Sequence, residues 1–401
     1  MYRIISVCLL LSASFEHVVL GRAFKYNVEF DLKPIPIRRQ LVWRSLIDWH
    51  NPANWQPSHR LPCPKDRIAL PEDFILFLNH ELDTIELVLP QNGELVLGPQ
   101  GNVRLLTSDD LGDFEHKCSP GEGGENMEFH PVEEKTPSSW FAPHHWQLVF
   151  RQPQSADYEQ QQQQQSFSES LVAISNFATF LSARREVASI VPHSERIPCT
   201  GDWVHFPTNN GSFKVTIERS SQIPALGLLT IGATQFTSTT GFGEFAKSFR
   251  GEMLFRFGDY NHLSIRPGVA GYCGNDAPKR LATICQNAQQ GACPDRKSLG
   301  CADPITPQGH CCPICASSLV VQRSKQESAL SDAALYGQLL AAMRQVHAEL
   351  PSMRLYGHWL YDRRWQLIAE DLPPEGAEVP SERLNDRYIQ QVKSRLESNG
   401  E

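Results

Sequence analysis

Ten cysteines carry most of the chemistry this sequence could do. The 401-residue chain has 11 cysteines, and Cys8 lies in an N-terminal segment with the features of a secretory leader. That leaves Cys63, Cys118, Cys199, Cys273, Cys285, Cys293, Cys301, Cys311, Cys312 and Cys315. An even set in an oxidising compartment pairs into disulfides. Seven of the ten crowd into the 43 residues from Cys273 to Cys315, where apolar side chains are too few for much of a core and cross-links must hold the chain. Cys311 and Cys312 are adjacent, and a disulfide needs Cα atoms about 4.4 to 6.8 Å apart, so each reaches a different partner. Seven is odd, so if all ten pair, an odd number of bonds joins this tail to Cys63, Cys118 and Cys199. The simplest scheme bonds Cys63 to Cys118 and Cys199 to a tail cysteine such as Cys273, with the remaining connectivity open. A zinc site built from His310 and neighbouring thiolates lacks the paired C-x-x-C knuckles of a finger.

Other reactive groups are weaker candidates. Asp66 and Asp202 could be general acids, but no partner carboxylate recurs with them, and each precedes a strand's first apolar position by two residues, where it caps a turn. His144 and His145, beside Pro143, read as a solvated surface pair. There is no H-E-x-x-H, no G-x-S-x-G and no phosphate loop, and Gly121-x-Gly123-Gly124 lacks a strand-to-helix context. No catalytic, cofactor-binding or metal-binding residue is assigned, and the chain is read as no enzyme. Asn210-Gly211-Ser212 is an N-glycosylation sequon on a predicted turn. A net charge of −8, with no basic block longer than Arg38-Arg39 or Arg184-Arg185, excludes a nucleic-acid partner.

The positioning elements are β-like and occur twice. Leu61-Pro62-Cys63-x-x-Asp66-x-Ile68-x-Leu70-Pro71 recurs 136 residues later as Ile197-Pro198-Cys199-x-x-Asp202-x-Val204-x-Phe206-Pro207. Pro52-x-x-Trp55 recurs as Pro143-x-x-Trp146, and Gly93-x-Leu95-x-Leu97-Gly98 as Gly227-x-Leu229-x-Ile231-Gly232. Three blocks in the same order mark a duplicated unit. In the first copy Phe74 to Leu78, Thr84 to Leu89, Glu94 to Leu97 and Val103 to Leu106 read as strands. In the second, Trp203 to Phe206, Ser212 to Ile217, Leu226 to Ile231 and Glu252 to Phe257 do, with helix scarce in both. This rhythm fits a sandwich, a barrel or a parallel β-solenoid alike. Trp43, Trp49, Trp55, Trp140 and Trp146 read as core plugs rather than a binding platform.

Residues 1–21, with Arg3, the apolar run Ile4 to Leu11 and Val19-Leu20-Gly21, read as a signal peptide. Residues 41–118 form the first β-rich repeat, 119–139 an acidic loop, and 140–270 the second repeat. The second copy has taken an insertion, whose Gln-rich part at 152–170 cannot bury apolar area and reads as a loop. Residues 273–315 are the cysteine-rich module. Residues 331–397 read as a helix-strand-strand-helix module, with helices opening at Ser331 and Ser381 and strands at Arg354 to Tyr361 and Trp365 to Ala369. After the leader, no segment reaches the length of apolar sequence that spans a membrane, and the chain as written reads as soluble.

The cysteine tail resembles a von Willebrand factor type C module. The tryptophan-rich start with Asn51-Pro52-Ala53-Asn54-Trp55, the two Pro-Cys-x-x-Asp blocks, Leu89-Pro90-Gln91-Asn92-Gly93-Glu94-Leu95-Val96-Leu97 and His310-Cys311-Cys312-Pro313-x-Cys315 together resemble the amnionless family, over roughly residues 41–317 and more loosely beyond. That resemblance implies a mainly β protein with two β-solenoid-like or β-helix-like lobes, a type C-like module and a small C-terminal α+β module. It also implies a receptor subunit that docks a cubilin-like protein, carries it to the apical plasma membrane and supports protein uptake. Family members continue into a membrane span and a cytoplasmic tail, so membrane association here is expected through the partner or through a segment absent from this chain. The cysteine tail alone suggests a different role, a secreted modulator that binds a growth factor.

Overall fold

A computed structural model describes residues 15–17, 39–57, 60–107, 110, 123–131, 137–150, 190–219, 222–258, 263–269, 273–288, 293–294, 296–299, 301, 303–323 and 353–371. Most of the leader, the Gln-rich insertion, Cys118 and the two helices expected at Ser331 and Ser381 lie outside these residues. The fold is mainly β. The chain divides into one compact unit of residues 40–148 and 201–269 and another of residues 1–39, 149–200 and 270–401.

In the first of these, tryptophan sets the frame. Asn51 caps a 3-10 turn over Pro52–Asn54, and proline at its start supplies the fixed φ such a turn needs. The turn delivers Trp55 to the interior, where its indole Nε1–H donates to the Trp49 carbonyl at 2.9 Å. Pro143–His145 forms the corresponding 3-10 turn before Trp146, whose Nε1–H donates to the Trp140 carbonyl at 2.8 Å. All five tryptophans singled out in the sequence are buried. Ring pairs Trp49–Trp55 and Trp140–Trp146 meet edge to face at 4.6 and 4.9 Å, the geometry that aligns ring quadrupoles favourably.

From Arg67 the chain runs through three short strands, Arg67–Ala69, Ile75–Leu78 and Glu81–Thr84, then returns in parallel beside each: Glu86–Val88, Glu94–Leu97 and Asn102–Leu105. Ile68 aligns with Leu87, Leu76 with Leu95 and Leu82 with Val103. The inner members of these pairs are buried and the outer ones cover them, so each inner side chain contributes on the order of 1.5–3 kcal/mol by leaving water. Gly93 allows the close approach, since a Cβ there would lie 2.1 Å from the Phe74 carbonyl oxygen. Residues 201–269 also pair in parallel, Trp203–Phe206 with Leu228–Ile231 and Val215–Ile217 with Phe255–Phe257.

Three features depart from the expectations. The strands fall into separate sheets of two to five strands, with no closed barrel or solenoid among the described residues. Asn126–Phe129, inside the segment read as an acidic loop, is a strand between Trp55–Gln56 and Arg67–Ala69, because the alternation of Met127 and Phe129 buries one face. Part of the run read as a strand from Glu252 is helical. Ser238 and Ser248 accept from the backbone N–H groups of Gly241 and Gly251, capping helices Thr239–Ala246 and Phe249–Leu254.

In the other unit, an antiparallel hairpin of Met353–Trp359 and Trp365–Asp371 pairs on with Ser317–Arg323. Phe15–His17, within the predicted leader, lies as a short antiparallel strand against Val321–Arg323. Helix Pro278–Ala288 carries Leu281, Ile284, Cys285 and Ala288 at helical spacing and buries Ile284. Ile190, Val191, Ile314, Ala316, Tyr356 and Ile368 form the apolar cluster.

Candidate functional site

Three outer strands in the unit of residues 40–148 and 201–269 present unpaired edges. Glu86–Val88 ends a four-stranded sheet, Glu94–Leu97 ends a three-stranded one, and Asn102–Leu105 is half of a two-stranded one, so among the described residues no strand takes their outer hydrogen-bonding side. Val88, Leu89, Leu97 and Leu105 are 50%, 56%, 49% and 61% exposed along this row. Unsatisfied backbone groups beside exposed aliphatic side chains are what a partner strand adds to. Ion pairs flank the row at Arg67–Glu86 (3.4 Å) and Arg104–Asp83 (2.9 Å), and Arg250 pairs with Glu94.

A buried carboxylate anchors the entry to these strands. Asp66 accepts from Arg60 Nη1 at 2.6 Å and Nη2 at 3.0 Å, from the Cys63 N–H at 2.6 Å and from the Glu125 N–H at 3.0 Å. Burial alone would raise its pKa, but Arg60 and the two backbone donors more than offset that and hold the carboxyl below its usual range. Asp66 therefore closes a turn and is not poised as an acid. Asp202 is also buried. His145 corrects the expectation of a solvated pair: His144 is exposed, but His145 is buried, stacks on Trp43 at 4.7 Å and places Nδ1 2.9 Å from the Arg44 carbonyl.

The cysteine-rich unit holds the bonds Cys199–Cys273, Cys285–Cys311, Cys293–Cys312 and Cys301–Cys315. Adjacent Cys311 and Cys312 reach different partners. Cys63 is disulfide-bonded, while Cys118 lies outside the described residues. Asn210 stands in the short strand Asn210–Gly211, paired with Ile75–Leu78, and not on a free turn. Glu195, Cys199 and Cys273 bring one carboxylate oxygen and two sulfurs within 4.8 Å of one another, but the two sulfurs are bonded together and offer no thiolate. The thiols a zinc site at His310 would need are likewise spent in disulfides.

A buried polar group missed by the sequence reading centres on Glu195. Arg39 donates to its carboxylate, His358 Nδ1 lies 3.4 Å from Oε1 and Tyr356 Oη lies 3.5 Å from Oε2. Burial pushes this carboxyl up, yet the Arg39 charge and the contact with the His358 ring outweigh it and hold it well below the carboxylate range. Asp276 receives the Tyr361 N–H and Gln308 Nε2–H, and burial raises its pKa. The hydrogen-bonded partners in this group lie 32 to 161 positions apart, and no local spacing brings them together in the sequence.

The fold and these groups define a mainly β, disulfide-braced protein with an open row of strand edges and a buried ionic hub. A family profile described as Amnionless matches residues 40–172 and 175–400, and the chain belongs to that family. It is similar to a protein described as "Protein amnionless" from Drosophila melanogaster, 23% identical over 275 residues, which covers 68% of this chain and 44% of that protein. The chain thus spans less than half the length of that relative.

Proposed function

We propose that this chain is a non-enzymatic subunit of an endocytic receptor, and that it docks a cubilin-like protein through the strand edges at residues 86–105. Membership of the amnionless family supports the receptor role. The observation that carries the docking face is the alignment of three unpaired edges with Val88, Leu89, Leu97 and Leu105 exposed beside them. Backbone pairing supplies affinity in such an arrangement, and the exposed aliphatic side chains supply a dry contact. In this reading the subunit escorts its partner to the apical plasma membrane and supports protein uptake there. Residues 41–118 and 140–270 are copies of one unit, a view supported by the paired 3-10 turns, the indole-to-carbonyl bonds and the parallel pairings in both. A glycan at Asn210 belongs to the same secretory reading.

Leu97→Lys and Leu105→Lys place charges on the docking face without touching the core. Capture of the N-terminal region of a cubilin-like protein by the double variant should fall at least tenfold, with thermal stability unchanged. Full capture by a folded double variant refutes this face.

A further inference from the structure

The 3-10 turn His193–Arg196 lies on the segment around Gly309–Cys312 through contacts that require uncharged imidazoles. The Ser194 N–H donates to the Gly309 carbonyl at 3.1 Å, and the Cys311 N–H donates to His193 Nδ1 at 3.3 Å. A ring nitrogen that accepts a hydrogen bond carries no proton, so His193 is neutral. His310 Nε2 lies 3.3 Å from the Ile190 carbonyl, which can only accept, so the proton is on Nε2. His310 Nδ1 is buried with no hydrogen-bond partner, and a proton there would be a buried charge without an acceptor. The two rings meet edge to face at 5.6 Å. Gly309, at φ +86°, lets the segments touch, since a Cβ would meet Ser194 Oγ at 2.4 Å.

The surrounding charges do not favour protonation. Arg196 is nearest, its Nε–H donating to the Val191 carbonyl, and Arg280 on the packed helix donates to the Gly274 carbonyl. His358 approaches from the hairpin. The carboxylates are committed elsewhere: Glu195 to Arg39 and His358, beside Tyr356, and Asp276 to Tyr361 and Gln308. Among the described residues neither His193 nor His310 has an ion pair with a carboxylate.

We propose that this contact is an acid-released clasp: protonation of His193 and His310 parts the His193–Arg196 turn from the Gly309–Cys312 segment, while disulfides keep both tethered so that the clasp recloses at neutral pH. Cys199–Cys273 holds one segment, and Cys285–Cys311 and Cys293–Cys312 hold the other. The clasp belongs to the chain itself and does not depend on which partner it binds.

Burial, with the Arg196 charge, lowers His193 to about 4, and burial with the His193 and Arg196 charges lowers His310 to about 3. Both lie below the ordinary 6.5, so the closed form keeps its full advantage above about pH 6.5 and loses it as pH falls toward 4. Between pH 7 and 5 each imidazole shifts the opening equilibrium about 20-fold, on the order of several hundred-fold together. Asp276, raised by burial, works the other way and offsets part of this. Glu195 keeps its charge through the window.

The test is hydrogen exchange on the full oxidised chain at pH 7 and 5, corrected for intrinsic rates, read at the Ser194 and Cys311 amides. Wild-type protection should fall by about 100-fold or more at pH 5 and return on neutralisation. The double variant His193→Asn/His310→Gln, which keeps an acceptor for Cys311 and a donor for Ile190, should change less than about threefold. Flat wild-type protection, or an equal loss in the double variant, overturns the proposal. If the variant does not fold, histidine NMR on wild type decides: midpoints below 6.5 that coincide with opening support the clasp, and midpoints near 6.5 without opening refute it.

Discussion

Asp66→Asn tests whether the buried carboxylate holds the first strand turn. The side chain is fully buried and accepts four hydrogen bonds, two from a guanidinium that is itself only 17% exposed. Asparagine keeps the volume and one acceptor oxygen but loses the charge, leaving Arg60 with the half-exposed Glu125 carboxylate, 3.1 Å from Nη2, as its remaining ion partner, and one acceptor replaced by a donor facing donors. Removing one partner of a buried pair costs about 3–5 kcal/mol, and the residual exposure of Arg60 argues for the lower end. At about 2–4 °C per kcal/mol for a unit of 150–250 residues, the melting temperature should drop by roughly 10 °C. Because the folded carboxyl titrates below its unfolded value of about 3.9, its contribution is complete above that pH and is lost as pH falls through the lower folded pKa. Wild-type and variant curves from urea unfolding of the oxidised protein should therefore run parallel from pH 5 to 8 and converge toward pH 2. A loss under about 1 kcal/mol at pH 7, or a gap that persists undiminished in acid, refutes the reasoning.

Non-reduced peptide mapping should recover Cys199–Cys273, Cys285–Cys311, Cys293–Cys312 and Cys301–Cys315, with any other tail pairing counting against the structure. Replacing Cys199 and Cys273 together by serine opens a loop with a sequence separation of 74 and should cost about 4 kcal/mol in denaturant unfolding. Trp55→Phe, which keeps the buried ring but loses the Nε1–H bond to Trp49, should cost about 1–3 kcal/mol in the same assay, and Trp146→Phe a similar amount.

Residues whose role is local were legible in the sequence. Proline before a tryptophan fixes its own φ, so Pro52 and Pro143 mark turns in any context. Asp66 sits where a short carboxylate can reach backbone N–H groups on its own turn. Short apolar runs bounded by Pro71, Pro90, Asn92-Gly93 and Gly98 marked Ile75–Leu78, which is buried on both faces, and Glu94–Leu97 as strands, because turn residues on either side leave room for little else. Cysteine parity required an odd number of bonds between tail and body if every cysteine pairs, since counting needs no geometry. The remainder is decided by tertiary structure. Which tail cysteine meets Cys199, and why His145 is buried against Trp43 while His144 is exposed, depend on segments distant in sequence. So do the joining of Arg39, Glu195 and His358 in one ionic hub and the neutrality of His193 and His310. An ionisable side chain has the same local signature whether it ends in water or in a core, and its charge follows from what the rest of the chain packs around it.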